Sequence, residues 1–256
     1  MDTRKHNGLS TGNRIMAGML VLAFAFLVYT SSMKNVGLYM WDYDTQCWYT
    51  GGTCWWNGES PHDKEKYTET WIELFGRPPN NQATFVYPPT MAIISLPVAV
   101  LPWPAAAWVF RGCSLLAFLG IVYLSRKLMA SSLPQLRLLG PTGVYVCLTA
   151  TLGSVMQCLN QGQCALIVVC GCLAAWYGFQ RKILWLFLLG FLVACIKPQV
   201  SMIPLLYIFF LGGYRWFFYG AGLAGIFSLI VLVAVPPTDL LASYQGSLND
   251  HMEHQY

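Results

Sequence analysis

Seven apolar blocks, at about 15–33, 104–124, 139–157, 164–180, 183–196, 199–213 and 216–236, occupy about half of this 256-residue chain. A block of about 20 apolar residues forms a helix of about 30 Å, the thickness of a bilayer's hydrocarbon core. In lipid every backbone polar group must be satisfied internally, so blocks of this kind fold as helices. Only 10% of the residues are charged, against about a quarter in a soluble domain. The sequence therefore predicts an all-α, polytopic membrane protein with about seven transmembrane helices, and it excludes a soluble enzyme.

The dispersed basic residues give the orientation rather than a nucleic-acid surface, and no nucleic-acid partner is expected. Arg126, Lys127 and Arg137 lie between the second and third blocks, Arg181 and Lys182 between the fourth and fifth, and Arg215 between the sixth and seventh. With 1–14 as a cytoplasmic N-terminus, all of them fall on the cytoplasmic side, as the positive-inside rule requires. The first block follows Arg4, Lys5 and Arg14. It is long for a signal peptide, and "YTSSMKN" after it has no small-x-small cleavage site, so it reads as an uncleaved span. At 183–213 a single tilted helix competes with two short spans meeting at "IKPQ"; two spans keep Arg215 inside.

The transmembrane module is thus 15–236, with a large outer loop at 34–103 and an outer C-terminal segment at 237–256. That segment has no closing helix, the pattern expected of a fragment or an early-stopping frame. The loop carries seven of the eleven acidic residues. Ser60, Pro61 and Asp63 look like the cap, first turn and capping-box acid of a helix. It would show Tyr67, Trp71, Leu74 and Phe75 on one face and stop at Gly76. This helix and a second at 85–102 are expected to lie at the membrane interface. Cys47 and Cys54 leave a disulfide open on an oxidising face, while the cysteines within apolar blocks read as small buried hydrophobes.

Charge at membrane depth is costly and marks candidate sites. Arg111, in the outer half of the second span, and Lys197, at the outer turn of "IKPQ", fall on the same side as Asp42 and Asp44 in "MWDYDTQCWYTGG". The polar break "CLNQGQCA" at 158–165 lies there too. Interfacial snorkelling is the plain reading of each cation taken singly. Together, cations for a phosphate, a carboxylate for a hydroxyl and aromatics for sugar faces and isoprenoid suit an anionic lipid-linked substrate.

The chain resembles the GT-C superfamily of membrane glycosyltransferases, and within it the polyprenyl-phosphate-mannose-dependent glycosyltransferase family 87. The resemblance rests on Asp44 after the first span, followed in register by Trp48-Tyr49, Gly52 and "GESP" at 58–61. "YPP" at 87–89, "QGQ" at 161–163 and "KPQ" at 197–199 complete it. It implies that Asp44 is the catalytic base of an inverting hexosyltransferase with polyprenyl-phosphate mannose as the expected donor, and with Asp42 an accessory acid. On this chemistry Lys197 and Arg111 are expected to bind the donor phosphate, and Trp48, Tyr49, Tyr87, Gln161, Gln163 and Gln199 to contact sugar or lipid. The acceptor, a glycolipid or polysaccharide, is not readable from the chain. No cofactor is required, although a divalent cation is compatible with the acidic loop. A flippase of lipid-linked sugars or a catalytically inactive scaffold are the competing readings. The implied location is the cell (inner) membrane, with the site on the extracytoplasmic face.

Overall fold

The computed structural model describes residues 43–79, 85–132, 155, 158, 162–233 and 245–246. The first expected span, most of the third, Asp42, Gln161 and nearly all of the C-terminal segment lie outside the described residues. Within them every regular element is helical, with no strand. Two stretches are long and apolar enough to cross a membrane, Trp103–Ser125 and Pro198–Val231.

Helix α1 (Tyr43–Trp56) begins the described chain, where the sequence signals only an acidic, aromatic loop. Its composition is poor for a helix, with Gly51, Gly52 and three threonines. Burial offsets that, since ten of its fourteen residues are buried. The glycine pair makes the burial possible. A Cβ on Gly51 would run into the Phe85 ring, and one on Gly52 would lie 2.5 Å from the Ser95 carbonyl oxygen.

Helix α2 (Lys64–Phe75) ends at Gly76 in the left-handed conformation, as expected. Its start differs from the sequence reading. Asp63, not Ser60, is the cap, and its carboxylate accepts from the Glu65 and Lys66 backbone N–H groups. The Ser60 hydroxyl instead accepts from the N–H of buried His62. The apolar face is as expected, but it is covered by protein rather than lying in the interface. Tyr67 and Trp71 are buried, and the Tyr67 hydroxyl donates to the Cys47 carbonyl of α1 at 3.0 Å.

The 85–102 segment likewise packs inward: an extended stretch, a 3-10 turn (Pro89–Met91) and helix α3 (Ala92–Ala99), with Phe85, Tyr87, Met91 and Ala92 buried. Rings from four segments interlock there. Trp103 packs on Tyr49 and on Phe75, and Trp55 packs edge-on to Phe85, with centroids 5.1–5.3 Å apart. Such pairs contribute about 0.5–1.5 kcal/mol each beyond simple burial. The Cys47–Cys54 disulfide is not formed, and both thiols are free and buried. Seven residues along one helix separate their Cα atoms by about 10 Å, too far for a bridge.

Helix α4 (Trp103–Ser132) is followed by α5 (Ala165–Arg181), α6 (Leu184–Ala194), α7 (Pro198–Ile208) and α8 (Tyr214–Leu232). The break at "IKPQ" separates α6 from α7, in line with two elements rather than one. Each has eleven residues, about 16 Å of helix, half a hydrocarbon core, so neither spans alone. Between α7 and α8, Leu211 and Gly212 leave helical geometry. Helices α5 and α6 form a tight hairpin, in which a Cβ on Gly190 would lie 2.6 Å from the Gly171 carbonyl oxygen. One apolar core runs from Trp48 and Phe85 through Phe110 to Phe187 and Ile208.

Candidate functional site

Asp44 lies in the first turn of α1, where the helix dipole favours a carboxylate. Segments distant in sequence meet around it. Lys197, the residue before Pro198 at the α6–α7 junction, acts on the Asp44 carboxylate through its positive charge, and the Gln163 side chain hydrogen-bonds to it. Tyr87, Cys158 and Cys164 lie close enough to feel its negative charge.

Two tethers hold these segments in place. The Thr45 hydroxyl donates to the Gly162 carbonyl at 3.3 Å, joining α1 to the "QGQ" break. The Thr90 hydroxyl donates to the Cys195 carbonyl at 2.7 Å, joining the 3-10 turn to the junction that carries Lys197. Gly162 has φ +69°, and a Cβ there would collide with Thr45 Oγ1. Glycine is the residue that meets both conditions.

Burial pushes the Asp44 carboxyl above its ordinary range, while the Lys197 charge and the Gln163 hydrogen bond pull it back down, and the upward push wins. The result is a carboxylate more basic than a solvated one, beside a cation. Such a pair can take a proton from a hydroxyl and balance negative charge on a neighbouring group.

The other sequence-expected residues sit differently. Trp48 is fully buried against Phe110, with ring centroids 4.2 Å apart. The buried Tyr49 donates its hydroxyl to the Leu101 carbonyl at 2.6 Å. Both are packing positions here, not an open sugar platform. Arg111 holds its guanidinium 5.2 Å from the centre of the Trp108 ring, while Lys197 is a cation that acts on Asp44. Gln199 is exposed on the first turn of α7. Among the described residues no group of three or more His, Cys, Asp or Glu could hold a metal ion.

Thr45, Thr90 and Cys158 escaped sequence reasoning because single hydroxyls and thiols carry no spacing signal. The glycine of "QGQ", between two amides, was the hint to a close approach. Arg77, read from sequence only as part of a helix stop, reaches the buried Gln46 Oε1 at 3.5 Å.

No curated protein and no solved structure matches the chain. The model of glycosyltransferase family 87 matches residues 85–256. The match begins after Asp44 and takes in Tyr87, Gln163 and Lys197, the partners that the fold gathers around it. Covering more than half of the chain, it establishes that the protein belongs to glycosyltransferase family 87.

Proposed function

We propose that the protein is an inverting glycosyltransferase that moves a sugar, mannose by family resemblance, from a polyprenyl phosphate to an acceptor hydroxyl, with Asp44 as general base. The observation that supports it most is the Asp44 carboxylate, kept basic by burial while Lys197 and Gln163 act on it from two other segments.

The acceptor oxygen attacks the anomeric carbon opposite the bond to phosphate, and its proton passes to Asp44. The electron pair of the breaking carbon–oxygen bond stays on the phosphate, which leaves as polyprenyl phosphate. That group needs no general acid. The Lys197 charge offsets its growing negative charge, a task for which no divalent cation is required. Backside attack inverts the anomeric centre.

The positive-inside pattern supports a multi-pass inner-membrane protein with a cytoplasmic N-terminus. It assigns Asp44, "QGQ" and Lys197 to the extracytoplasmic face, among membrane lipids and the lipid-linked donor. Glycolipid and polysaccharide acceptors both fit this chemistry.

The test is sugar transfer in membranes containing the protein or its Asp44→Asn variant at matched levels, with radiolabelled polyprenyl-phosphate mannose, glucose and arabinose in turn. Transfer of mannose that falls at least ~100-fold in the variant is expected. Equal transfer by both forms would remove Asp44 as the base. No transfer by either, with both stably inserted, would favour a scaffold.

A further inference from the structure

The contacts between α1 and the "QGQ" break come as a register of two adjacent pairs. Thr45 bonds the carbonyl of Gly162, and Asp44 bonds the side chain of Gln163. A carboxylate only accepts, so the amide must turn its NH2 toward Asp44 and its Oε1 away. That Oε1 has its own partner, since the Cys158 thiol donates to it at 3.8 Å. The Gln163 backbone N–H also donates to the Cys158 carbonyl at 2.8 Å, closing the turn on itself. Both ends of the amide are therefore engaged within the protein.

We propose that Gln163 is a positioning residue for Asp44, fixed in turn by the Cys158 thiol and by the Thr45–Gly162 contact, rather than a sugar-binding residue. The proposal rests on Asp44 being the base. One carboxylate oxygen is pinned by the amide, which selects the side-chain rotamer and leaves the other oxygen for the incoming hydroxyl. Cys158 acts one step further out. A thiol donor at Oε1 keeps the amide from flipping, and a flipped amide would present oxygen to oxygen. The φ of +69° at Gly162 sets the turn from which Gln163 reaches α1.

Other groups face Asp44 as well. Among the described residues they are Tyr43 and Cys47 on its own helix, Tyr87 before the 3-10 turn, Cys158 and Cys164 around the polar break, and Lys197. All remain in a Gln163 variant. Removing the amide thus withdraws one stabiliser of the ionised form and leaves the rest.

The experiment compares the full-length protein with Gln163→Met and Cys158→Ala in two readouts. The first is the pH dependence of carbodiimide labelling at Asp44, followed by peptide mass spectrometry. Only the protonated carboxyl reacts, so the midpoint reports Asp44 directly and needs no donor. The second is the pH profile of sugar transfer, with kcat and donor KM separated. Gln163→Met is expected to raise the labelling midpoint by about one pH unit. It should lower kcat ~10-fold at neutral pH with donor KM unchanged. Cys158→Ala should move the midpoint the same way by less.

A raised donor KM with an unmoved midpoint would overturn the proposal and make Gln163 a substrate contact. If Gln163→Met does not fold, Cys158→Ala carries the same midpoint test, and an unmoved midpoint there overturns the proposed fixing of the amide. Asp44→Asn separates the two ideas. Full transfer by that variant sinks the base assignment, while the labelling midpoint still tests whether Gln163 positions the carboxyl.

Discussion

Burial makes the single titratable side chain costly, and the outer-loop residues show it with both signs. Asp44 is pushed up by desolvation and pulled back by Lys197 and Gln163. His62 is pushed down to about 4 by burial, with the hydrogen bond between its Nδ1 and the Phe85 carbonyl (2.8 Å) acting in the opposite direction. In an unfolded chain a histidine titrates near 6.5. As pH falls below about 6.5, the unfolded state therefore takes up a proton that the folded state refuses until about 4. Stability is full above that window and is lost on descending through it, by up to about 3 kcal/mol. His62→Asn, which keeps a donor near the Nδ1 position, should give a thermal midpoint that changes less between pH 7 and pH 4.5. Parallel curves for the two proteins would show that His62 is not held neutral by burial.

At the scale of the element, length and small residues decide more than propensity. Helix α1 exists despite two glycines and three threonines because its partners bury it, and those glycines are where the partners approach. The start of α2 was legible only to within a turn. Ser60 and Asp63 are both good caps by residue type, and the burial of His62, which engages the Ser60 hydroxyl, hands the role to Asp63. The α5–α6 hairpin is closed by Gly171, Ala175 and Gly190, packed backbone to backbone as membrane helices commonly do. Gly190→Ala should cost about 1–3 kcal/mol through overpacking. Gly222→Ala on α8, where no described residue lies within 4 Å of the new methyl, should be neutral or gain up to about 1 kcal/mol of helix propensity. Thermal unfolding in detergent reads both, and equal effects would mean that the hairpin is not closed at Gly190.

At the scale of the whole molecule, orientation follows from charges that no contact displays. The exposed Glu73 at the end of α2 and the exposed Lys182 after α5 should lie on opposite sides of the bilayer. A cysteine at 73 should take an impermeant maleimide in intact cells, above the background of the native cysteines. One at 182 should do so only after permeabilisation. The reverse pattern would invert the orientation and move Asp44 to the cytoplasmic side.

The sequence by itself determined the helical membrane class, the stop at Gly76 and the family, and it favoured a break between α6 and α7 at "IKPQ". Each is a local signal: an apolar run, a proline, a glycine, or an ordered set of short motifs. Only the tertiary structure brought Lys197 and Gln163 to act on Asp44, and buried Trp48 and Tyr49 in the core. Those outcomes depend on which surfaces of distant segments meet. A charge 153 positions away in sequence reaches a carboxylate through two threonine tethers and one glycine, and no spacing rule encodes that meeting.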